Sequence, residues 1–185
     1  MKDSLLKIEK DLRNFKDLKI AQNCIQPVMG KGNPKAKIIF IGEAPGAKED
    51  KLGEPFVGRS GKLLNELLES INLSREKVYI TNIVKFRPPN NRDPNTIEKE
   101  GCLPFLIREI NYIKPKLICT LGRHSMNFFL PKAKISESHG NLYTIKTPFL
   151  KEINIFPLYH PASALYNPNK RETLFLDFNK IPTVI

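Results

Sequence analysis

Three polar segments of the chain carry the residue types from which a reaction centre could be built. The first, Gly42–Gly58, holds two carboxylates, Glu43 and Glu49, and one aromatic ring, Phe56, between Pro55 and Val57. The second, Asn82–Arg92, holds an amide at Asn82 and the cations Lys85, Arg87 and Arg92, with Asn91 between them. The third, His160–Asn167, opens on an imidazole followed by Pro161. An amide offers a donor and an acceptor on one edge, and an imidazole can donate a hydrogen bond or move a proton near neutral pH. Carboxylates can position water or steady a developing positive charge, and guanidinium groups suit phosphate oxygens. Each feature also has a plainer reading. A Gly/Pro-rich loop is usually only a loop, His160 could cap a helix, Asn82 could close a turn and Phe56 could be core. His124 and His139 have no motif around them and read as structural. The joint occurrence carries the argument.

The elements between these segments place them together. Lys37–Ile41 is an apolar run before Gly42 and reads as a buried parallel strand; Val78–Val84 and Leu117–Gly122 read as two more. Weaker strands fall near Leu142–Ile145 and Ile155–Leu158. Helices are expected over Ser4 to about Leu18, over Leu63–Ile71 with Ser60 as N-cap, and over Thr96–Ile113. Asn95 with Glu98 forms a capping-box start for the last of these, and Pro115 ends it. A short helix near Ser125–Phe129 and a final one over Glu172–Lys180 complete the series. Strand and helix alternate, so the expected fold is a three-layer α/β/α domain over residues 1–185 around a central, mostly parallel four-stranded sheet. Sites on such sheets lie beyond the carboxyl ends of the strands. All three segments fall there, and the polar stretch Glu43–Ser60 is long for a structureless connection.

Composition narrows the partner. The 185 residues include 30 Lys+Arg against 19 Asp+Glu, a formal charge of +11, which points to a polyanion. No apolar run approaches the roughly 20 residues of a membrane span, and the N-terminal residues lack the apolar core of a secretory signal, so an intracellular, cytoplasmic and nucleoid-associated protein is expected. Three cysteines, Cys24, Cys102 and Cys119, are too few for a disulfide framework or an all-cysteine metal site.

Read as motifs, Gly42-Glu43-Ala44-Pro45-Gly46-Ala47-Lys48-Glu49-Asp50, Gly53-Glu54-Pro55-Phe56-Val57-Gly58-Arg59-Ser60-Gly61, Tyr79-Ile80-Thr81-Asn82-Ile83-Val84-Lys85, Arg87-Pro88-Pro89-Asn90-Asn91-Arg92 and His160-Pro161-Ala162 resemble the uracil-DNA glycosylase superfamily. The nearest branch is family four, whose members carry an iron–sulfur cluster. The resemblance implies a glycosylase that flips uracil out of single- or double-stranded DNA and hydrolyses its glycosidic bond in base excision repair, acting as a monomer without a membrane. It implies Phe56 stacking on the base, Asn82 reading its edge and Ala44 lining the pocket where better-known relatives have a water-orienting aspartate. It implies His160 as donor to the leaving base, and Glu43 and Glu49 as the electrostatic and water-positioning carboxylates. Arg59, Lys85, Arg87, Asn91, Arg92, Lys170 and Arg171 are the implied DNA contacts, with Leu165, or else Ala164, as the wedge filling the gap in the stack. A same-fold enzyme for hypoxanthine or xanthine, and a catalytically silent DNA-binding homologue, are the alternatives; the chain has neither a Gly-x-Gly-x-x-Gly nor a Walker pattern.

One departure from the family is sharp. Its cluster uses four cysteines: an N-terminal Cys-x-x-Cys pair, one inside a Lys-Cys-Arg-Pro-Pro segment and one on the next helix. Here Phe86 stands between Lys85 and Arg87, while ungapped counting puts Phe15 and Leu18 at the N-terminal pair. Only Cys102 matches, with Cys24 reachable through a gap. No metal and no iron–sulfur cluster are expected, and Phe15, Leu18 and Phe86 are expected to pack together.

Overall fold

The chain adopts an α/β/α architecture in a computed structural model that describes residues 3–150 and 152–184. Ser4 caps helix α1 (Leu5–Asn14) by accepting the Lys7 N–H at 3.1 Å, and α2 (Lys19–Asn23) follows. The helix expected to run to about Leu18 ends at Asn14, and the second helix begins beyond Leu18. Phe15 is extended, and with Leu18 it turns inward onto Phe86, Cys102 and Phe105. Strand β1 (Lys31–Gly32) leads to β2 (Ile38–Gly42), and the polar stretch after β2 contains a helix of its own, α3 (Ala47–Leu52). Helix α4 (Arg59–Glu69) starts behind Gly58, so Gly58 and not Ser60 is its N-cap. Strand β3 (Tyr79–Asn82) and helix α5 (Thr96–Ile113) come next, the latter opening on the Asn95–Glu98 capping box. Strand β4 (Leu117–Leu121) precedes α6 (Arg123–Phe129) and α7 (Ile135–Ser138). The chain then runs through β5 (Tyr143–Ile145), β6 (Ile153–Leu158), α8 (Pro161–Ala164) and α9 (Pro168–Phe178). Helix α9 begins earlier than Glu172 because Asn167 caps the Lys170 N–H at 3.1 Å and Pro168 suits the first turn.

The sheet order is β1-β3-β2-β4-β6-β5. The sheet, expected to have four mostly parallel strands, has six: β3, β2, β4 and β6 run parallel at its centre, and short antiparallel strands lie at both edges. Successive residues of β2 serve opposite layers. Ile38 and Phe40 pack with α4 and α9, through Leu63, Leu64, Leu67 and Phe178; Ile39 and Ile41 pack with Leu106, Ile110 and Ile113 of α5. Both faces are covered, which is why the parallel strands are mostly apolar.

One ion pair lies inside this core. Lys85 and Glu109 are both fully buried. The Lys85 ammonium donates to the Glu109 carboxylate, to Thr81 Oγ1 at 2.6 Å and to the Asn82 carbonyl at 2.9 Å. Glu109 also accepts the Gly30 N–H at 2.9 Å and the hydroxyls of Tyr79 and Thr81, both at 3.0 Å. The expectation that Lys85 reaches DNA is therefore corrected: all three of its protons are taken inside the protein. Removing one partner of such a pair leaves an uncompensated buried charge. Glu109→Gln should lower unfolding free energy by about 3–5 kcal/mol, whereas Lys85→Met with Glu109→Leu should recover most of that loss, as read by denaturant unfolding.

Candidate functional site

The loops after β2, β3 and β6 meet beyond the carboxyl edge of the sheet around a cavity of about 360 Å³. Glu43, Ala44, Gly46, Glu49, Phe56, Asn82, Asn91, Arg92 and His160, all named from the sequence, line it. In the strand register Gly42 stands opposite Asn82. A Cβ on Gly42 would lie 2.4 Å from Asn82 Oδ1 and 2.6 Å from the Phe56 ring. Phe56 and Asn82 therefore meet over a glycine, and any side chain there would push one of them out of the site. The Phe56 and His160 rings are 5.7 Å apart, centroid to centroid, at 29°.

His160 accepts the Ala162 N–H at Nδ1, at 3.1 Å, which assigns its proton to Nε2. Burial pulls its pKa down to about 4, so it is a neutral donor at physiological pH. The two carboxylates differ. Glu49 Oε1 accepts the Val57 and Gly58 N–H groups at 2.9 and 2.8 Å and so holds the Phe56 loop. Glu43 Oε1 is buried without a hydrogen-bond partner among the described residues. Burial, and then the charge of Asp93, push the Glu43 pKa up to about 7.

Two neighbours of Glu43 were not anticipated. His124, expected to be structural, lies with Nε2 3.0 Å from Asp93 and 3.5 Å from Glu43. Asp93, exposed in the loop after Arg92, carried no motif. Lys99 and Arg123 flank this group and oppose its negative charge. A second cavity of about 400 Å³ adjoins the first across Glu43, Asp93 and His160, with Arg123 and Lys170 in its wall.

Of the expected DNA contacts, Asn91 and Arg92 line the first cavity and Lys170 the second, while Arg59, Arg87 and Arg171 line neither. Arg59 is exposed and donates to the Tyr166 hydroxyl, its guanidinium 5.6 Å from that ring. Arg87 donates to Asn91 at 2.8 Å. Arg92 is clasped by Glu98, Lys170 lies 5.4 Å from the centre of the Tyr159 ring, and Arg171 pairs with Glu66. Ala164 is buried and Leu165 packs against the core, so the projecting side chain of this turn is Tyr166, 76% exposed. An exposed tyrosine beside buried small and aliphatic residues gives no signal in sequence.

The fold and this rim define an α/β protein with a pocket walled by an aromatic ring, an amide and an imidazole. Residues 29–181 match the family described as the Uracil DNA glycosylase superfamily, and the chain belongs to that superfamily, in its type-4 branch. It is 50% identical to a Type-4 uracil-DNA glycosylase of Sulfurisphaera tokodaii, over 97% of this chain and 84% of that protein. It is 44% identical to one of Archaeoglobus fulgidus, over 97% and 92%. A Type-5 uracil-DNA glycosylase of Thermus thermophilus is 31% identical over 65% of this chain and 64% of its own.

Phe15, Leu18 and Phe86, which stand where the family resemblance puts cluster cysteines, pack in one apolar cluster. Phe15 stacks on Phe86 at 6.1 Å and meets Phe105 edge-on at 5.2 Å, with Leu18, Cys24 and Cys102 in the same apolar cluster. Burial pushes the Cys102 thiol up to about 11, and Cys24 upward too; Cys119 lies apart in β4. Two protonated thiols among aromatic rings do not fit a group that needs four thiolates.

Asp93→Asn removes the negative neighbour of Glu43 and leaves its burial. The Glu43 pKa should fall from about 7 yet stay above the ordinary carboxylate value, as read by side-chain carboxyl NMR titration.

Proposed function

We infer that the chain is a uracil-DNA glycosylase of base excision repair, and that the meeting of Phe56 and Asn82 over Gly42, with the His160 ring beside Phe56, is the observation that carries the reading. An extruded uracil stacks on Phe56. The Asn82 amide donates to O4 and accepts from N3–H, a pattern cytosine does not match. As the bond from sugar to base breaks, its electron pair stays on uracil. The neutral His160 Nε2–H and N–H groups of the Gly42–Gly46 turn donate to O2, where that charge gathers. Glu43, ionised, steadies the positive sugar carbon and holds the water that adds to it; one water proton leaves through Glu43, giving an abasic site and free uracil. Glu49 acts on the loop, not the water. Arg59, Arg87, Asn91, Arg92, Lys170 and Arg171 meet phosphates beside the flipped nucleotide, and Tyr166 enters the stack in place of Leu165.

We propose that the protein acts as a monomer on single- or double-stranded DNA inside the cell. No described helix is long and apolar enough to cross a membrane. Catalysis takes no cofactor, and the Phe15–Phe86–Phe105 packing supports a cluster position rebuilt as apolar core. Anaerobically expressed protein should contain no stoichiometric iron by metal analysis; bound iron with a brown chromophore would overturn this.

Oligonucleotides carrying U, hypoxanthine, xanthine or T, followed by alkaline cleavage of abasic sites, should be cut only at U. Asn82→Asp replaces the O4 donor with a repelling acceptor, and uracil release should fall by at least about a hundredfold. Wild-type activity in that variant would remove Asn82 from the site.

A further inference from the structure

Phe56 is held in a backbone conformation that a phenylalanine rarely adopts, with φ at +54°. Such a residue persists only where its surroundings over-determine it, at a cost of about 1–3 kcal/mol. Two groups of opposite charge grip this turn from opposite sides. From the cavity, Glu49 takes the Val57 and Gly58 N–H groups. From behind, Arg75 takes the carbonyls: Nη2 donates to Pro55 O at 2.7 Å and Nη1 to Phe56 O at 3.1 Å, with Asn65 Oδ1 3.3 Å from Nη1. Gly61 closes the turn, since a Cβ there would lie 1.7 Å from Phe56 O.

Arg75 is unusual in its setting. It is half-buried, lies outside the cavity wall, and makes no ion pair within 4.0 Å among the described residues. A guanidinium taken partly out of water normally finds a carboxylate; this one is directed at two neutral carbonyls of the strained turn. It also stands in the 3-10 turn Arg75–Lys77, immediately ahead of β3, which ends at Asn82. One side chain thereby ties the backbone of the ring that stacks to the strand of the amide that reads.

We propose that Arg75 is a positioning residue for base recognition, fixing the Phe56 platform relative to Asn82 by clamping the Pro55 and Phe56 carbonyls. The proposal rests on the uracil reading of the pocket. Its direct consequence is that losing Arg75 weakens the hold on the uracil base more than the hold on DNA.

The test separates these. For wild type, Arg75→Ala and Arg75→Lys, inhibition by free uracil is measured alongside affinity for duplex DNA carrying an abasic-site analogue and alongside thermal stability. Arg75→Ala should weaken uracil inhibition by at least about tenfold, as expected for lost hydrogen bonds to a charged group, while abasic-DNA affinity stays at the wild-type value. Added guanidinium ion should restore part of the uracil inhibition. In a Phe56→Ala background, Arg75→Ala should add nothing, because the platform it holds is gone. Arg75→Lys, whose single ammonium reaches fewer carbonyls, should show the same selectivity with a smaller loss and serves if the alanine variant does not fold. Wild-type uracil inhibition in both variants, equal loss of uracil and abasic-DNA binding, or full additivity with Phe56→Ala would each overturn the proposal. Failure of the underlying reading looks different: wild-type protein would neither release uracil nor be inhibited by it, and the proposal would fall with it.

Discussion

The buried Lys85–Glu109 pair organises the structure around it. A single carboxylate on α5 gathers the Gly30 N–H, two hydroxyls from β3 and the ammonium of Lys85, and that ammonium returns to the Asn82 carbonyl. Every proton of Lys85 has an acceptor, so the network is satisfied in a setting where a half-satisfied one would be costly. Its geometric effect is to fix the carboxyl end of β3 against α5. Asn82 is the last residue of that strand, so its amide inherits the rigidity of the core while facing the cavity.

From that fixed point the site is built by exclusion of volume. The Gly42 backbone, level with Asn82, leaves room for the Phe56 ring only because no Cβ intervenes. The two carboxylates of the first loop then take different parts through their surroundings. Glu49 is occupied by backbone N–H groups, whereas Glu43 keeps an unpartnered oxygen under burial and the field of Asp93. Burial also keeps His160 neutral, so the site combines an uncharged donor with a carboxylate whose protonation is poised near neutral pH.

The apolar cluster that holds Phe15 and Phe86 adjoins Lys85. Phe86 follows it directly, and Cys102 accepts the Lys85 N–H at 3.4 Å. The rings of Phe15, Phe86 and Phe105 bring α1, the post-β3 loop and α5 into one apolar cluster. Contacts among rings can join these elements without metal, because each brings a large apolar surface to the same place.

The linear order of residues determined the alternation of strands and helices, the capping-box start of α5 and the rim on which the three polar segments converge. These are local patterns, or counts along the chain, and they need no knowledge of what packs on what. Folding alone decided the rest. Lys85 read as a phosphate contact because a lysine two residues from an arginine at the start of a polar loop looks solvated; only the approach of Glu109, 24 residues away, makes it core. Glu49 and Glu43 look alike until the turn at Val57 and Gly58 closes on one of them. Asp93, His124, Arg75 and Tyr166 carried no signal, since their significance lies in partners distant along the sequence or in exposure beside a cavity. Sequence pattern reveals which elements form and where they end, whereas a side chain's role depends on the neighbours and water it meets after those elements pack.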